Sequence, residues 1–233
     1  MKRTFAAITA ALLLVTLLAS ATFAASAKWT LWQYNATDPG PVAGVATNPH
    51  GGTIATFAFD ADSDQALLTS DANGYVKNGG LLGKNVTATI SVTAPSGTTF
   101  VGYDTCAGGL PPTVRFYFDT KLVLGAETSF QPGLYEDQLW WSNPVSISLA
   151  DLYAAGPKGS TLSVSLDPAN WSNLVGAFGD QLVGPYSADF STAASNVNKI
   201  GFSFGSGCSF AFGDGSQPAG AMFNLMKFAT SNR

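Results

Sequence analysis

Between Val197 and Phe228 the chain keeps a period of two. Ile200, Phe202 and Phe204 alternate with Gly201, Ser203 and Gly205, and then Cys208, Phe210 and Phe212 alternate with Ser209 and Ala211. Successive side chains of a β-strand point to opposite faces, so this pattern sends rings into a core and leaves small residues on the other side. Gly213-Asp214-Gly215 reads as a turn, and Met222 to Phe228 as a last strand. Three strands in succession predict the closing half of a β-sandwich.

The rest of the chain agrees with an all-β reading. Strand patterns fall at Lys28 to Tyr34, Thr53 to Phe59, Val86 to Thr93 and Thr161 to Leu166. Thr113 to Phe118 and Lys121 to Leu124 read as a hairpin about Asp119-Thr120. Leu139 to Ser142 and Val145 to Leu149 read as two strands broken at Asn143-Pro144. Asn35 to Gly52 and Asp60 to Gly80 read as polar, irregular segments. Short helical turns are expected over Ser148 to Ala155 and after Asp167-Pro168, where Asp suits the cap and Pro the first helical position. No long apolar segment of helical period follows residue 27, which disfavours folds built on crossover helices. The expectation is an antiparallel β-sandwich, jelly-roll-like, with one or two short helices.

The N-terminus carries an address. Lys2 and Arg3 precede an apolar run from Ala6 to Leu18, and Ala25-Ser26-Ala27 is a small-x-small cleavage site. Residues 1–27 read as a secretory signal peptide and 28–233 as a single sandwich domain, secreted or periplasmic, with no membrane span after cleavage. Lys and Arg number 11 against 15 Asp and Glu, and the signal takes two cations with it, so the mature charge is more negative than −4. No basic cluster exists, which argues against nucleic acid. Two cysteines in an exported chain predict one disulfide, Cys106–Cys208. It would close a loop of about 100 residues, worth up to ~4–5 kcal/mol in the chain-entropy model.

The closing half is also familiar as a pattern. A Trp pair (Trp140, Trp141) is followed by VSISL, a short helix and TLSVSL, then Asp167-Pro168-x-x-Trp171, then VNKIGFSFG and a last strand. Over residues 135–230 this resembles the galactose-binding-like jelly rolls, a superfamily that includes many carbohydrate-binding modules of bacterial glycosidases. The resemblance implies the architecture and, as an expectation, a non-catalytic glycan-binding role. An Asp-rich motif that often opens the last strand of such modules is replaced here by Gly220-Ala221-Met222.

Individual residues offer few chemical sites. Gly201-x-Ser203-x-Gly205 matches a nucleophile-elbow motif, but its Ser sits inside a strand pattern and the sole histidine, His50, lies far upstream. Glu127, Glu136 and Asp137 flank a turn and read as solvated charges rather than a hydrolytic pair. No catalytic residues are assigned. Asp60, Asp62, Asp64 and Asp71 are a candidate Ca²⁺ loop, because spaced carboxylates can converge on a hard cation. Trp32, Tyr34, Trp140 and Trp141 are the candidate ligand-binding aromatics for a polysaccharide or other glycan. Adjacent Trp140 and Trp141 must face opposite ways, one into the core and the other towards solvent or a covering loop. The alternative reading is a structural or interaction protein of the envelope or matrix, with no small ligand.

Overall fold

A face of rings is stable only against another such face, and here two antiparallel sheets supply them. The computed structural model describes residues 28–33, 40–42, 46–47, 52–62, 65–76, 80–102, 111–129, 132–181, 189–205 and 213–233. In chain order the strands are β1 Trp29–Gln33, β2 Gly40–Val42, β3 Ala46–Thr47, β4 Ala55–Ala58, β5 Gln65–Asp71, β6 Lys84–Thr93, β7 Thr99–Gly102 and β8 Thr113–Thr120. They continue with β9 Leu139–Ser148, β10 Ser160–Ser165, β11 Trp171–Asn173, β12 Val197–Gly205, β13 Asp214–Gln217 and β14 Met222–Asn232. Helix α1 is Leu149–Ala155 and α2 is Asp189–Ser195. The larger sheet runs β11-β9-β8-β12-β5-β1-β2, with β13 paired to β5 and β7; the smaller runs β10-β6-β14-β4-β3.

The core lies between the sheets and is mainly aromatic. Phe202 of β12 stacks on Phe116 of β8 at 5.4 Å and meets Phe228 of β14 edge-on at 5.6 Å. Phe204 and Phe57 each pack on Phe223, at 5.1 and 5.3 Å. Edge-to-face and offset pairs add about 0.5–1.5 kcal/mol each beyond the area they bury. Gly201 is dictated by its neighbour, since a Cβ there would sit 2.0 Å from the Leu68 carbonyl oxygen of β5.

Several expectations hold and several are corrected. β1, β4, β6, β10, β12 and β14 lie where alternation places them, and β7 adds a short strand that the sequence does not announce. Ser148 caps α1, its hydroxyl accepting from the Asp151 N–H. The Asp167 side chain accepts from Ala169 N–H at the head of a single 3-10 turn, Pro168–Asn170. Residues 60–80, read as irregular, contain β5 between β1 and β12 in the larger sheet. The stretch 35–52 contains β2 and β3. The expected turn at Asp214 is the start of β13; the alternating run Cys208 to Phe212 lies outside the described residues. The hairpin at Asp119-Thr120 does not form. Asp119 stays in register with Lys199, and residues 121–138 make an excursion closed on itself by Thr128 N–H to Leu134 O and Glu136 N–H to Ala126 O. β9 is one strand rather than two. Opposite its irregularity, the Ser142 hydroxyl accepts from Phe116 N–H at 3.0 Å and donates to Val145 O at 2.6 Å, replacing the lost ladder bonds.

Candidate functional site

Three neighbouring strands of the larger sheet meet at one end. β5 and β8 finish there and β12 begins, because both pair with β12 antiparallel. An open cleft of about 580 Å³ occupies this end. The end of β5 and the 3-10 turn after it supply Asp71 and Asn73; β8 and the excursion supply Thr120, Lys121 and Leu122. The end of α2 and the start of β12 supply Ser195, Asn196, Val197 and Asn198. The lining is therefore mostly uncharged and hydrogen-bonding, with one acid, one base and two apolar side chains.

A cross-strand row of charge lies beside the cleft. Lys199 stands opposite Asp71 on one side and Asp119 on the other. Its Nζ lies 2.6 Å from Asp71 Oδ1, while Asp119 takes the Lys199 backbone N–H and the Asn198 amide, each at 2.9 Å. Burial lifts the Asp119 carboxyl above its ordinary range, and those bonds, with one from Tyr117, hold it partly down. Burial also pushes the Tyr117 phenol well up. Asn198 thus spends its NH₂ on the sheet at the edge of the cleft. Asn196, also in the lining, donates to Thr192 O of α2 at 2.8 Å. Two amides and nearby hydroxyls form a surface suited to hydroxyl groups.

The residues singled out from the sequence are not assembled into one site. Trp140 and Trp141 do face opposite ways, but both are buried: Trp140 against Phe118 and Phe190, Trp141 against Tyr117 on the outer face. Neither offers an open ring to a sugar, which corrects their assignment as a binding platform. Trp32 lies on the outer face, half-buried, its indole N–H bonded to Thr69 Oγ1 at 3.0 Å. Tyr34 lies outside the described residues, as do Asp64, Cys106 and Cys208.

The four-carboxylate set is also taken apart. Asp60 and Asp62 precede β5 and Asp71 ends it, so about 20 Å of extended strand separates them. Asp60 is already engaged: Gln33 Nε2 donates to it at 3.1 Å, Gln65 Nε2 at 2.5 Å and the Asp62 N–H at 3.1 Å. Among the described residues no group of three or more acidic, His or Cys side chains could hold a metal ion. Ser203 is fully buried on the outward side of β12, within the strand. Asp137 is not a solvated charge. It is 1% exposed, and burial, followed by the acidic neighbours Asp189 and Glu136, pushes it up to about 6 despite a bond from Asn173.

Sequence reading did not find the cleft. Its residues come from three separated stretches, 71–73, 120–122 and 195–198, each with the composition of an ordinary turn. The nearest signal was Asn196-Val197-Asn198, two amides at the mouth of an apolar strand. Comparison of the chain with protein-family models, characterised proteins and solved structures gives no match.

Proposed function

We propose that the chain is an exported, non-catalytic module that binds a neutral carbohydrate or other extracellular glycan in the end cleft. The observation that carries this reading is the lining: Asn73, Thr120, Ser195, Asn196 and Asn198 against a single acid and a single base. A polyhydroxyl ligand needs donors and acceptors together and little charge, and amides and hydroxyls supply both. With no aromatic among the described lining residues, affinity rests on hydrogen bonds worth about 0.5–1.5 kcal/mol each. Four to six of them give a Kd of roughly millimolar to tens of micromolar. The signal-like N-terminus supports export, and two cysteines in an exported chain support a Cys106–Cys208 disulfide. The strand-rich sandwich and the closing motif support a jelly roll of the galactose-binding-like kind.

A second reading, an envelope or matrix protein with no small ligand, draws on the burial of Trp29, Trp140, Trp141 and Trp171. One assay separates the two. The mature protein is tested on a glycan array and by polysaccharide pull-down, and any ligand found is titrated against Asn73→Ala. The cleft reading expects retention on at least one polysaccharide and about a fivefold loss of affinity in the variant. No retention on any polysaccharide, or affinity untouched by Asn73→Ala, overturns it.

A further inference from the structure

Arg115 is a buried cation without a counter-charge. It lies on the outer face of the larger sheet, in β8, and is 9% exposed. Among the described residues no hydrogen bond or ion pair reaches its guanidinium. The exposed Arg233, by contrast, has Asp167 at 3.6 Å. Charged side chains are almost never buried unless paired, because lost hydration must be replaced. Arg115 keeps its charge, since a guanidinium does not deprotonate in a protein. Burial pulls it below its ordinary range, with no acidic neighbour to offset the effect.

The described side chains beside it are neutral. Register places Ser203 of β12 opposite Arg115 on one side and Ser146 of β9 on the other. Thr113 and Tyr117 flank it on the same face of β8. Three of these hydroxyls are turned elsewhere: Ser146 to Pro144 O at 3.2 Å, Thr113 to Pro111 O, and Tyr117 to Asp119 Oδ2 at 3.1 Å. Ser203 Oγ, sealed from solvent, has no partner among the described residues. The next acid of β8, Asp119, is four residues on and is taken up by Asn198 and the Lys199 N–H. Asp214, fully buried at the head of β13, is in no ion pair with Arg115. The guanidinium nitrogens are not among the sealed, unbonded atoms of the described residues, so solvent still touches them.

Charge and shape decide what fits this fork. A carboxylate accepts two parallel N–H···O bonds from one guanidinium. It also sets one negative charge against one positive. A sulfate or a doubly ionised phosphate would leave a net charge in a poorly hydrated place, and a neutral sugar would leave the cation unpaired. We propose that Arg115 is the receptor for a carboxylate monoanion on the outer face of the larger sheet, either a small free organic acid or the carboxylate end of a peptide chain. Arg115 is five residues along β8 from Thr120, about 17 Å from the end cleft, so the proposal does not depend on the cleft reading.

Beyond residue 27 the chain has two arginines, Arg115 and Arg233. Their Nε–H signals in a ¹⁵N-labelled sample are assigned with Arg233→Gln, a change at the exposed C-terminus. Sodium acetate is titrated at about pH 6.5, where it is ionised, and at constant ionic strength against sodium chloride and sodium sulfate. The Arg115 signal should shift saturably, with a Kd of roughly 1–20 mM, as one bidentate charge-assisted pair supplies. The Arg233 signal should not saturate. At ten times that Kd, Tm should rise by about 3 °C, and Arg115→Gln should abolish the rise. An Arg115 signal that does not saturate with acetate, or that responds equally to chloride, overturns the proposal without recourse to a variant at that position. So does a Tm rise kept in Arg115→Gln, and a response to sulfate matching that to acetate overturns the monoanion assignment. N-acetylglycine separates the two sources: binding at least about fivefold tighter than acetate identifies a peptide terminus, and equal or weaker binding a small free acid.

Discussion

The outer faces of the two sheets are built on opposite terms. On the smaller sheet, β6 turns Asn85, Thr87, Thr89, Ser91 and Thr93 outward, and β10 adds Thr161 and Ser163. These side chains bond one another, Thr87 to Ser163 at 3.0 Å and Thr89 to Thr161 at 3.4 Å. The strands of this sheet contain no acidic residue. On the larger sheet the outer face carries Arg115, Tyr117, Trp141 and Ser203, all buried, and the charged row Asp71, Lys199 and Asp119. One sheet has a single dry face. The central strands of the other are dry on both. The candidate cleft opens at the end of the doubly buried sheet, where its strands run out and polar ends are left to line a hollow.

The comparison can be broken by substitution. Trp141→Ala should behave as a core truncation despite its outward position, costing about 3–5 kcal/mol in urea unfolding. A cost below about 1 kcal/mol would put that face on the same footing as the smaller sheet's. Gly201→Ala should lose about 1–3 kcal/mol, towards the upper end, because the new Cβ meets the Leu68 carbonyl rather than a yielding side chain. A neutral result by the same unfolding measurement would mean that β5 and β12 can separate without penalty. Ser163→Ala on the smaller sheet should change stability by no more than about 0.5 kcal/mol, since its partner Thr87 can turn to water. A larger loss would mean that the hydroxyl array is a structural network and not a solvated surface.

The contrast also explains what could be read from the residues. A strand with one wet face alternates polar and apolar residues, as β6 does in VTATISVT, and its limits were nearly right from sequence. A strand dry on both faces loses that alternation. β5 reads Gln-Ala-Leu-Leu-Thr-Ser-Asp and is almost wholly buried, so it passed for an irregular polar stretch although it lies between β1 and β12. β12 escaped because its outward residues are Gly and Ser, which alternate in size instead of polarity. The aromatic candidates failed for the same reason: alternation places Trp140 and Trp141 on opposite faces but does not say that both faces are covered.

The sequence by itself determined the all-β class of fold, the positions of most strands and the cap at Asp167, because each depends on residues near one another in the chain. Only the tertiary structure decided which faces are dry, that Asp71 stands a strand's length from Asp60, that Asp137 is buried, and that three distant turns line one cleft. Those facts follow from how strands pair across the sheets, and pairing between distant segments is set by the packing of whole faces, which no local pattern records.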